Sequence, residues 1–495
     1  MECASKTLSS LGRLPAWKCL GAAFLFLCAL GAIDYGNRLH LFVFAYATIT
    51  FAFLGLYKGN EPIDVFSPAL GFPVLLFMYS FASAMYTERT GLTFHGDSVS
   101  DDVLNRFYVC CIAGLIGSAA GILYARRKTG GAKGPVRDLP FNFDNRFCYR
   151  KMIVLGVVLG IALSIFIAPS FDIIDVPSYR DSVFEAKREQ RQDEASGMKE
   201  IFTVELPIKI ILCAATIALF RRKGWRSVPA GLLGAVLLLL YLSRNTLAGD
   251  RGAVVAALLI PVVYYHYRVR PIRFWAAALM GVLGYAFMST VSLARSGGDP
   301  LAMLDVVTSR ISEDQLEYLS LASSTELMVG TNLMRQISGV WNNETAYTYG
   351  FSIMTEMLVF IPRMFFPGRP LPMSEQFVTV FYPGVLEYGG GLGFFILQEG
   401  YWAFGTAGVF LFMFLFCACV QVIYQWFRDR MRYDLVALAY ASVFFILIVS
   451  SIRSGIISHL KILLMHMIPF LLVVLLPLPP ILRPARKRST GTEGT

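Results

Sequence analysis

The sequence predicts an all-α polytopic membrane protein with about twelve transmembrane helices and one long external loop that carries surface helices. The chain has 495 residues, of which 56% are hydrophobic and 16% charged, and its mean hydropathy is +0.57. Apolar stretches of about 18 to 25 residues, enough to cross a hydrocarbon core of about 30 Å, recur along nearly the whole chain. This composition excludes a soluble globular domain.

The apolar stretches set the order of the predicted elements. The predicted spans are residues 16–34, 40–57, 65–86, 105–125, 152–169, 203–220, 228–243, 252–267, 274–292, 401–426, 435–452 and 456–478. The first span follows a short basic segment but lacks a small-residue cleavage site, so we interpret it as a retained helix rather than a signal peptide. The chain therefore divides into residues 1–292 with nine spans, a loop at 293–400, and residues 401–495 with three spans and a basic tail.

The basic residues predict the orientation. They cluster after the fourth, sixth, eighth and tenth spans and in the tail, which places all five clusters on one side. Short loops rich in Lys and Arg remain cytoplasmic, so both termini are predicted inside and the 293–400 loop outside. The net charge of +10 is then a signature of topology, and it does not indicate a nucleic-acid partner.

Neither a disulfide framework nor a metal site is predicted. None of the nine cysteines falls in a predicted external loop. His459 and His466 would share one helix face, but no carboxylate joins them in a ligand pattern. We expect no metal and no cofactor.

The long external loop is where the sequence suggests chemistry. It carries five arginines, which are Arg295, Arg310, Arg335, Arg363 and Arg369. Residues 299–334 show helical spacing of apolar positions and are expected to form helices over the membrane surface. Residues 352–366 are too short to span and are expected to form a helix in the outer interface that Pro362 ends or bends.

Two groups of arginines are candidate anion ligands, because the planar guanidinium binds phosphate oxygens at two points. Arg244 and Arg251 lie in the external turn 243–252, although Asp250 and Arg251 could instead pair and stabilise a tight turn. Arg363 and Arg369 lie six residues apart in a proline-rich, aromatic stretch. These two could equally be interfacial anchors, since arginines and aromatics gather at headgroups.

Two further charges lie near the outer ends of spans. Glu399 stands at the start of the tenth span, where a carboxylate is costly unless it is hydrated or paired, so it is a candidate acid, base or arginine partner. The alternative is a charge that caps a helix start. Lys461 lies inside the twelfth span and could bind an anion or extend its ammonium group to the headgroups.

Several of these segments resemble the oligosaccharide repeat-unit polymerases of the Wzy type. The resemblance is carried by the long external loop, Tyr349-Gly350, Phe360-Ile361-Pro362-Arg363, Arg369-Pro370 and Glu399-Gly400-Tyr401-Trp402-Ala403-Phe404-Gly405-Thr406-Ala407-Gly408. The turn 244–252 also resembles a basic turn that these proteins place before the loop. The shared pattern covers about residues 240–420, and it departs at Ala403, where many relatives carry Asn.

The resemblance implies a membrane glycosyltransferase of the GT-C type in the bacterial inner membrane, which joins undecaprenyl-diphosphate-linked repeat units at the periplasmic face. It implies the lipid bilayer, a chain-length regulator and a flippase as further partners. The diphosphate would be bound by Arg244, Arg251, Arg295, Arg363, Arg369 and Lys461, with Arg251 and Arg363 stabilising the leaving group. Glu399 would activate or orient the acceptor hydroxyl. The alternatives are an O-antigen ligase and, from another class, a lipid-linked glycan flippase or transporter.

Overall fold

The computed structural model describes residues 37–58, 64–129, 251–268, 270–284, 327–358, 361, 365–366, 368–387, 392–430, 444–445 and 448–456. The predicted spans at 16–34, 152–169, 203–220 and 228–243 lie outside these residues, as does nearly all of 456–478. The described part of the chain is mostly helical and contains no strand.

The helices in chain order are α1 Asn37–Lys58, α2 Pro68–Thr90, α3 Asp101–Lys128, α4 Arg251–Arg268, α5 Phe274–Gly284, α6 Gly330–Trp341, α7 Phe351–Met357, α8 Met373–Phe381, α9 Pro383–Glu387 and α10 Ile396–Arg430. Among the described residues, the four helices α1, α2, α3 and α10 are long and apolar enough to cross a membrane. These four correspond to the predicted spans 40–57, 65–86, 105–125 and 401–426. The all-α membrane fold is therefore confirmed, whereas the total of twelve spans stays a prediction.

Local signals set the ends of α2 and α3. The Ser67 hydroxyl accepts the N–H of Ala69, and Pro68 occupies the first helical position of α2, where its missing N–H costs nothing. Gly91 ends α2 with a left-handed φ of 70°. The Ser100 hydroxyl caps α3 by accepting the N–H of Val103. Acidic residues in the first turn of α3 and basic residues in its last turn complement the helix dipole.

Helices α3 and α10 run in parallel with their backbones in contact. A Cβ placed at Gly117 would lie 2.4 Å from the carbonyl oxygen of Phe410, and one at Gly121 would lie 2.2 Å from that of Phe414. Gly114, one turn earlier, lies against the side chains of Leu397 and Val409 of α10. Small residues at this spacing let membrane helices pack at backbone distance.

The bundle has two ends, which we name by the carboxylate that lies at each. The Asp97 end contains the loop 91–100 and the starts of α1 and α3, which an ion pair of 3.0 Å joins between Arg38 Nη1 and Asp101 Oδ1. The Asp64 end contains the loop before α2 and the last turns of α1 and α3, where the Arg126 guanidinium lies 4.2 Å from the centre of the Tyr57 ring. The basic residues at the end of α3 make the Asp64 end the one that the charge bias predicts to be cytoplasmic.

The described part of the external loop differs from its prediction in two ways, while residues 299–326 of the predicted surface helices lie outside the described residues. Helix α6 does not lie over the bundle but enters it, because Gly330 contacts Ser83 and the carbonyl of Tyr79, which lies eleven residues before the end of α2. That distance is about 16 Å along the helix axis. Helix α7 has seven residues instead of the expected fifteen and ends at Met357, before Pro362. Its polar Ser352 and Glu356 are buried while its apolar Phe351 and Met354 face outward, which suits the expected position in an interface.

Candidate functional site: a buried carboxylate on a re-entrant arm

Helix α10 reverses direction within its first ten residues. Phe404 has φ −145° and ψ 26°, and Gly405 has φ 63° and ψ −147°. The second pair of angles falls in a region that only glycine occupies without strain. Gly405 therefore allows a turn that a residue with a Cβ would oppose.

Contacts on either side of this turn show that the chain folds back on itself. A Cβ at Gly408 would lie 2.1 Å from the carbonyl oxygen of Gly400, and one at Gly400 would lie 2.7 Å from that of Gly408. In a straight helix, residues eight apart are separated by about 12 Å. Residues 396–403 therefore form a short re-entrant arm that packs antiparallel to the long arm, residues 406–430.

The re-entrant arm begins near half depth in the bundle. Leu397 lies against Gly114, which is thirteen residues after the start of α3, or about 20 Å along its axis. Thr406, just after the turn, lies 3.5 Å from Cys110, which is nearer the Asp97 end. The arm consequently rises from the interior toward the Asp97 end before the long arm descends.

The loop segment 347–350 packs on the turn of α10 at Phe404 and Gly405 and stabilises it. The backbone N–H and the hydroxyl of Thr348 both donate to the carbonyl of Trp402, at 2.9 Å and 3.2 Å. The hydroxyl of Tyr347 donates to that of Tyr401 at 3.5 Å. This segment is part of the long loop, so the loop and the tenth predicted span form one structural unit.

Glu399 lies on the re-entrant arm and is completely buried. Its Oε1 accepts a hydrogen bond of 2.6 Å from the N–H of Ile456. The preceding Gly455 has φ +82°, and a Cβ there would lie 2.6 Å from the same oxygen. The sequence predicted Glu399 at the mouth of a span, but the structure places it deeper because the arm enters the bundle before it turns.

Arg453 approaches the same region from the other side of the bundle. Its chain segment begins near the Asp64 end, where the Phe445 ring centre lies 5.3 Å from that of Phe66. Eight residues later the carbonyl of Arg453 accepts the N–H of Phe394 at 2.6 Å, and its side chain lies beside Gly393. Both an arginine and a glutamate therefore lie where three separate chain segments meet.

The third segment is the start of α6. The amide nitrogen of Asn332 donates to the carbonyl of Gly393 at 2.6 Å, and the Ser83 hydroxyl of α2 donates to the carbonyl of Leu327 at 3.1 Å. We call the meeting point of residues 327–336, 392–400 and 451–456 the Glu399 site. Interrupted helices with buried polar side chains are typical of ligand sites inside membrane proteins.

Buried amides in the Glu399 site retain unused hydrogen-bonding capacity. Asn332, Gln336 and Gln398 are 3%, 0% and 0% exposed. Within the described part of the chain, Asn332 Oδ1, both terminal atoms of Gln336 and Gln398 Nε2 have no hydrogen-bond partner. An unpaired buried polar group costs about 1–3 kcal/mol, so such a cluster calls for a functional explanation.

A polar network covers the Glu399 site at the Asp97 end. Arg335 of α6 pairs with Glu344 at 2.7 Å and with Asp97 at 3.5 Å, and its guanidinium lies 4.7 Å from the Phe381 ring centre. Hydrogen bonding to Arg335 lowers the pKa of Glu344. Burial, followed by a hydrogen bond to Asp97, raises the pKa of Tyr382 well above that of a free tyrosine. The network holds α6 and α8 to the loop 91–100.

The Asp64 end has its own carboxylate cluster. Asp64 accepts hydrogen bonds from the N–H of Phe66 (3.0 Å), Nε2 of His266 (3.1 Å) and the hydroxyls of Tyr267 (2.6 Å) and Tyr424 (2.8 Å). The other imidazole nitrogen, Nδ1, accepts the N–H of Ile272 at 3.0 Å, which leaves the proton on Nε2. Burial opposes ionisation of Asp64, but the hydrogen bonds from His266 and Tyr267 lower its pKa.

Two of the predicted anion ligands, Arg369 and the backbone of Arg251, lie among the described residues. Arg369 is buried, and its Nη1 donates to the carbonyl of Ile361 at 3.0 Å. Arg251 is the first residue of α4, fifteen residues before His266, which places its backbone about 22 Å from the Asp64 end. The side chain of Arg251 and the whole of Arg244, Arg295, Arg363 and Lys461 lie outside the described residues. Their convergence on one diphosphate stays a prediction.

The sequence analysis named Glu399 as a candidate and did not name Arg453, Asn332, Gln336 or Gln398. Arg453 had a readable signal, because it occupies the three-residue gap between two predicted spans and is followed closely by Gly455. The amides had none, since a neutral polar residue in a predicted surface helix is ordinary. Their burial follows only from the entry of α6 and the re-entrant arm into the bundle.

Comparisons with known proteins leave the family open. No family model matches this chain, and neither a curated protein nor a solved structure gives a significant match.

Proposed function

We propose that this protein polymerises undecaprenyl-diphosphate-linked oligosaccharide repeat units at the periplasmic face of a bacterial inner membrane. The observation that carries the proposal is Glu399, a fully buried carboxylate on a re-entrant arm at half depth. Ionisable groups inside a membrane bundle are costly and are kept for function. The resemblance of residues 399–408 to repeat-unit polymerases includes this carboxylate and the glycines that form the turn.

The chemistry of glycan transfer matches the residue types. A hydroxyl of one repeat unit attacks the anomeric carbon of another, the bond to the diphosphate breaks, and the hydroxyl proton is transferred to a base. Glu399 is the candidate base or orienting group. Arg251 and Arg363 would stabilise the leaving diphosphate, and Arg244, Arg295, Arg369 and Lys461 would bind it. Arg453 joins this set because of its position in the Glu399 site.

The proposal is tested by Glu399→Gln, which keeps the shape of the side chain and removes its charge. The variant should form polymer at least about 100-fold more slowly than the wild type, because general base catalysis contributes that much or more. Polymer is measured as a glycan ladder on gels in cells lacking the wild-type chain, and as product from purified lipid-linked repeat units. Arg251→Ala and Arg363→Ala should shorten or abolish the ladder in the same assays.

Glu375→Gln is the matched control, since it removes a partly exposed carboxylate from the first turn of α8. It should leave the ladder intact. A folded Glu399→Gln variant that makes full-length polymer at the wild-type rate would overturn the proposal.

An O-antigen ligase is the second enzyme candidate, because it would use the same lipid-linked donor. Purified protein incubated with repeat-unit lipid alone separates the two, since only a polymerase yields laddered products without a separate acceptor.

A lipid-linked glycan transporter is the candidate from another class, and the interrupted segments of the Glu399 site favour it specifically. Detergent solution has no compartments, so product formed there supports the enzyme. Movement of labelled lipid-linked glycan across sealed vesicles without a change in glycan length would instead support transport.

A further inference from the structure

We infer that the amides of Asn332, Gln336 and Gln398 form a subsite that binds the hydroxyl groups of a glycan next to Glu399. The inference rests on the proposed function and names the part of the site that recognises the sugar.

Two of the three amides hydrogen-bond to one segment of backbone, and the third lies one turn along α6. Asn332 donates to the carbonyl of Gly393, and Gln398 accepts the N–H of Phe395 at 2.6 Å. Gln336 follows Asn332 by four residues and lies on the same face of α6. Gln398 directly precedes Glu399 in the chain. The amides and the candidate base therefore belong to one small region.

Each amide has hydrogen-bonding atoms that the described part of the protein does not use. Asn332 keeps an acceptor, Gln398 keeps a donor, and Gln336 keeps both an acceptor and a donor. The buried indole N–H of Trp402, three residues after Glu399, is a further donor without a partner among the described residues. One unused end does not by itself mark a site, because the buried Gln421 at the Asp64 end also leaves its Oε1 without a partner among the described residues. Gln336 differs because neither end of its amide is used within the described part of the chain, and it stands one turn from Asn332, which keeps a further unused atom.

The chemistry of this set suits a carbohydrate. A hydroxyl group both donates and accepts, so an amide that offers one atom of each kind matches a pair of neighbouring hydroxyls. Neutral amides do not supply the charge that a diphosphate requires, which leaves that part of the substrate to arginines. Because the amides are nearly inaccessible, α6 must separate from residues 392–396 for a sugar to reach them.

Gln336→Met is the decisive variant. Within the described part of the chain the Gln336 amide makes no hydrogen bond, so replacing it with an apolar side chain of similar length should leave Tm unchanged or raise it. Gln421→Met is the matched control, because Gln421 is equally buried but lies at the Asp64 end, where it donates to Tyr57. If Gln336→Met does not fold, Gln398→Met replaces it in the binding test described next.

The binding test uses protein in lipid nanodiscs without sugar detergents. The probe is the oligosaccharide released by mild acid from the native host's own polyprenyl-linked glycans. The wild type and Gln421→Met should bind it and rise in Tm with its concentration, while Gln336→Met should bind at least about tenfold more weakly. Equal binding by Gln336→Met and the wild type, or no binding by the wild type, would overturn the subsite.

The subsite and the proposed function fail in different ways, because binding of the released oligosaccharide needs no turnover. If Gln336→Met loses binding while Glu399→Gln still makes polymer, the subsite stands and the proposed role of Glu399 falls. If Glu399→Gln abolishes the ladder while Gln336→Met binds normally, the polymerase stands and the subsite falls. In the polymerase assay, Gln336→Met should raise KM more than it lowers kcat.

Discussion

The carboxylates of Asp64 and Glu399 lie in two regions of one bundle that differ in how the surrounding chain is built. Around Asp64 the donors come from α4, α10 and the loop before α2, and four hydrogen bonds satisfy the carboxylate. Around Glu399 the chain turns back, α6 begins and the segment 451–456 breaks at Gly455. Three buried amides there leave four polar atoms without a partner among the described residues, whereas the one buried amide that we place at the Asp64 end, Gln421, leaves a single atom. Asp64 therefore serves to hold helices together, whereas Glu399 lies where a ligand can bind.

The largest effect should come from closing the space between the two arms of α10. Gly408→Val would place side-chain atoms against the backbone of Gly400. The Cβ alone would lie 2.1 Å from the carbonyl oxygen of Gly400. Backbone cannot move aside without undoing the re-entrant arm, so we expect loss of folded protein and of all product. The measurements are size-exclusion chromatography, Tm and the glycan ladder.

Gly55→Ala in α1 is the control, because a Cβ there meets nothing within 4 Å. It should keep activity and raise stability by about 0.5–1 kcal/mol, as glycine is a poor helix former. If Gly408→Val folded and worked as well as Gly55→Ala, the two arms of α10 would not pack as described.

The next effect concerns the cation in the Glu399 site. Arg453→Gln should lower turnover by about 100-fold if its charge stabilises a leaving diphosphate, and Arg453→Lys should recover part of the loss. Turnover is measured on purified lipid-linked repeat units and normalised to folded protein. Arg127→Gln is the control, since Arg127 is exposed at the Asp64 end and should not matter. Equal turnover by Arg453→Gln and Arg127→Gln would remove Arg453 from the site.

The smallest effect tests the opposite region. Asp64→Asn should destabilise the protein by about 1–3 kcal/mol and leave turnover per folded molecule unchanged, because the carboxylate joins elements and does not meet substrate. Asp101→Asn is the control, since Asp101 is exposed and its pair with Arg38 should contribute less than about 1 kcal/mol. If folded Asp64→Asn protein lost turnover, Asp64 would not be a purely structural carboxylate and would not differ from Glu399 in its role.

The pH dependence of the same variant follows from the lowered pKa of Asp64. A carboxyl group whose folded pKa lies below its unfolded value stabilises the protein fully above an unfolded pKa of about 3.9. That stabilisation is lost as the pH falls through the folded pKa. The Tm difference between the wild type and Asp64→Asn should therefore be constant near neutrality and shrink in acid.

Hydropathy predicted the helices of the bundle well because it depends only on the length of apolar runs. The predicted spans 40–57 and 105–125 fall within one helix each, 65–86 overlaps α2, and 401–426 covers the turn and most of the long arm of α10. The ends of α2 and α3 follow from Ser67, Gly91 and Ser100. The chain direction within a run is not encoded in hydropathy. An apolar arm that enters the bundle and returns therefore has the same profile as one straight span.

The Glu399 site was predictable in part for the same reason. Glu399 could be found as a charge beside an apolar run, and Gly400, Gly405 and Gly408 are visible in the sequence. Their meaning depends on contacts between residues eight apart that a helical pattern does not suggest. Asp64 and His266 lie about two hundred positions apart in the chain, so their pairing depends on how α4 packs rather than on any local motif.

The glycines between α3 and α10 limit how this protein can move. Backbones that touch at Gly117 and Gly121 leave no side-chain layer that could slide or repack, so these two helices should travel as one rigid body through any cycle. Among the described residues, α6 and residues 392–396 are joined by the hydrogen bond from Asn332 to the carbonyl of Gly393, which can break and reform, so the opening that admits a large headgroup is expected between these two segments.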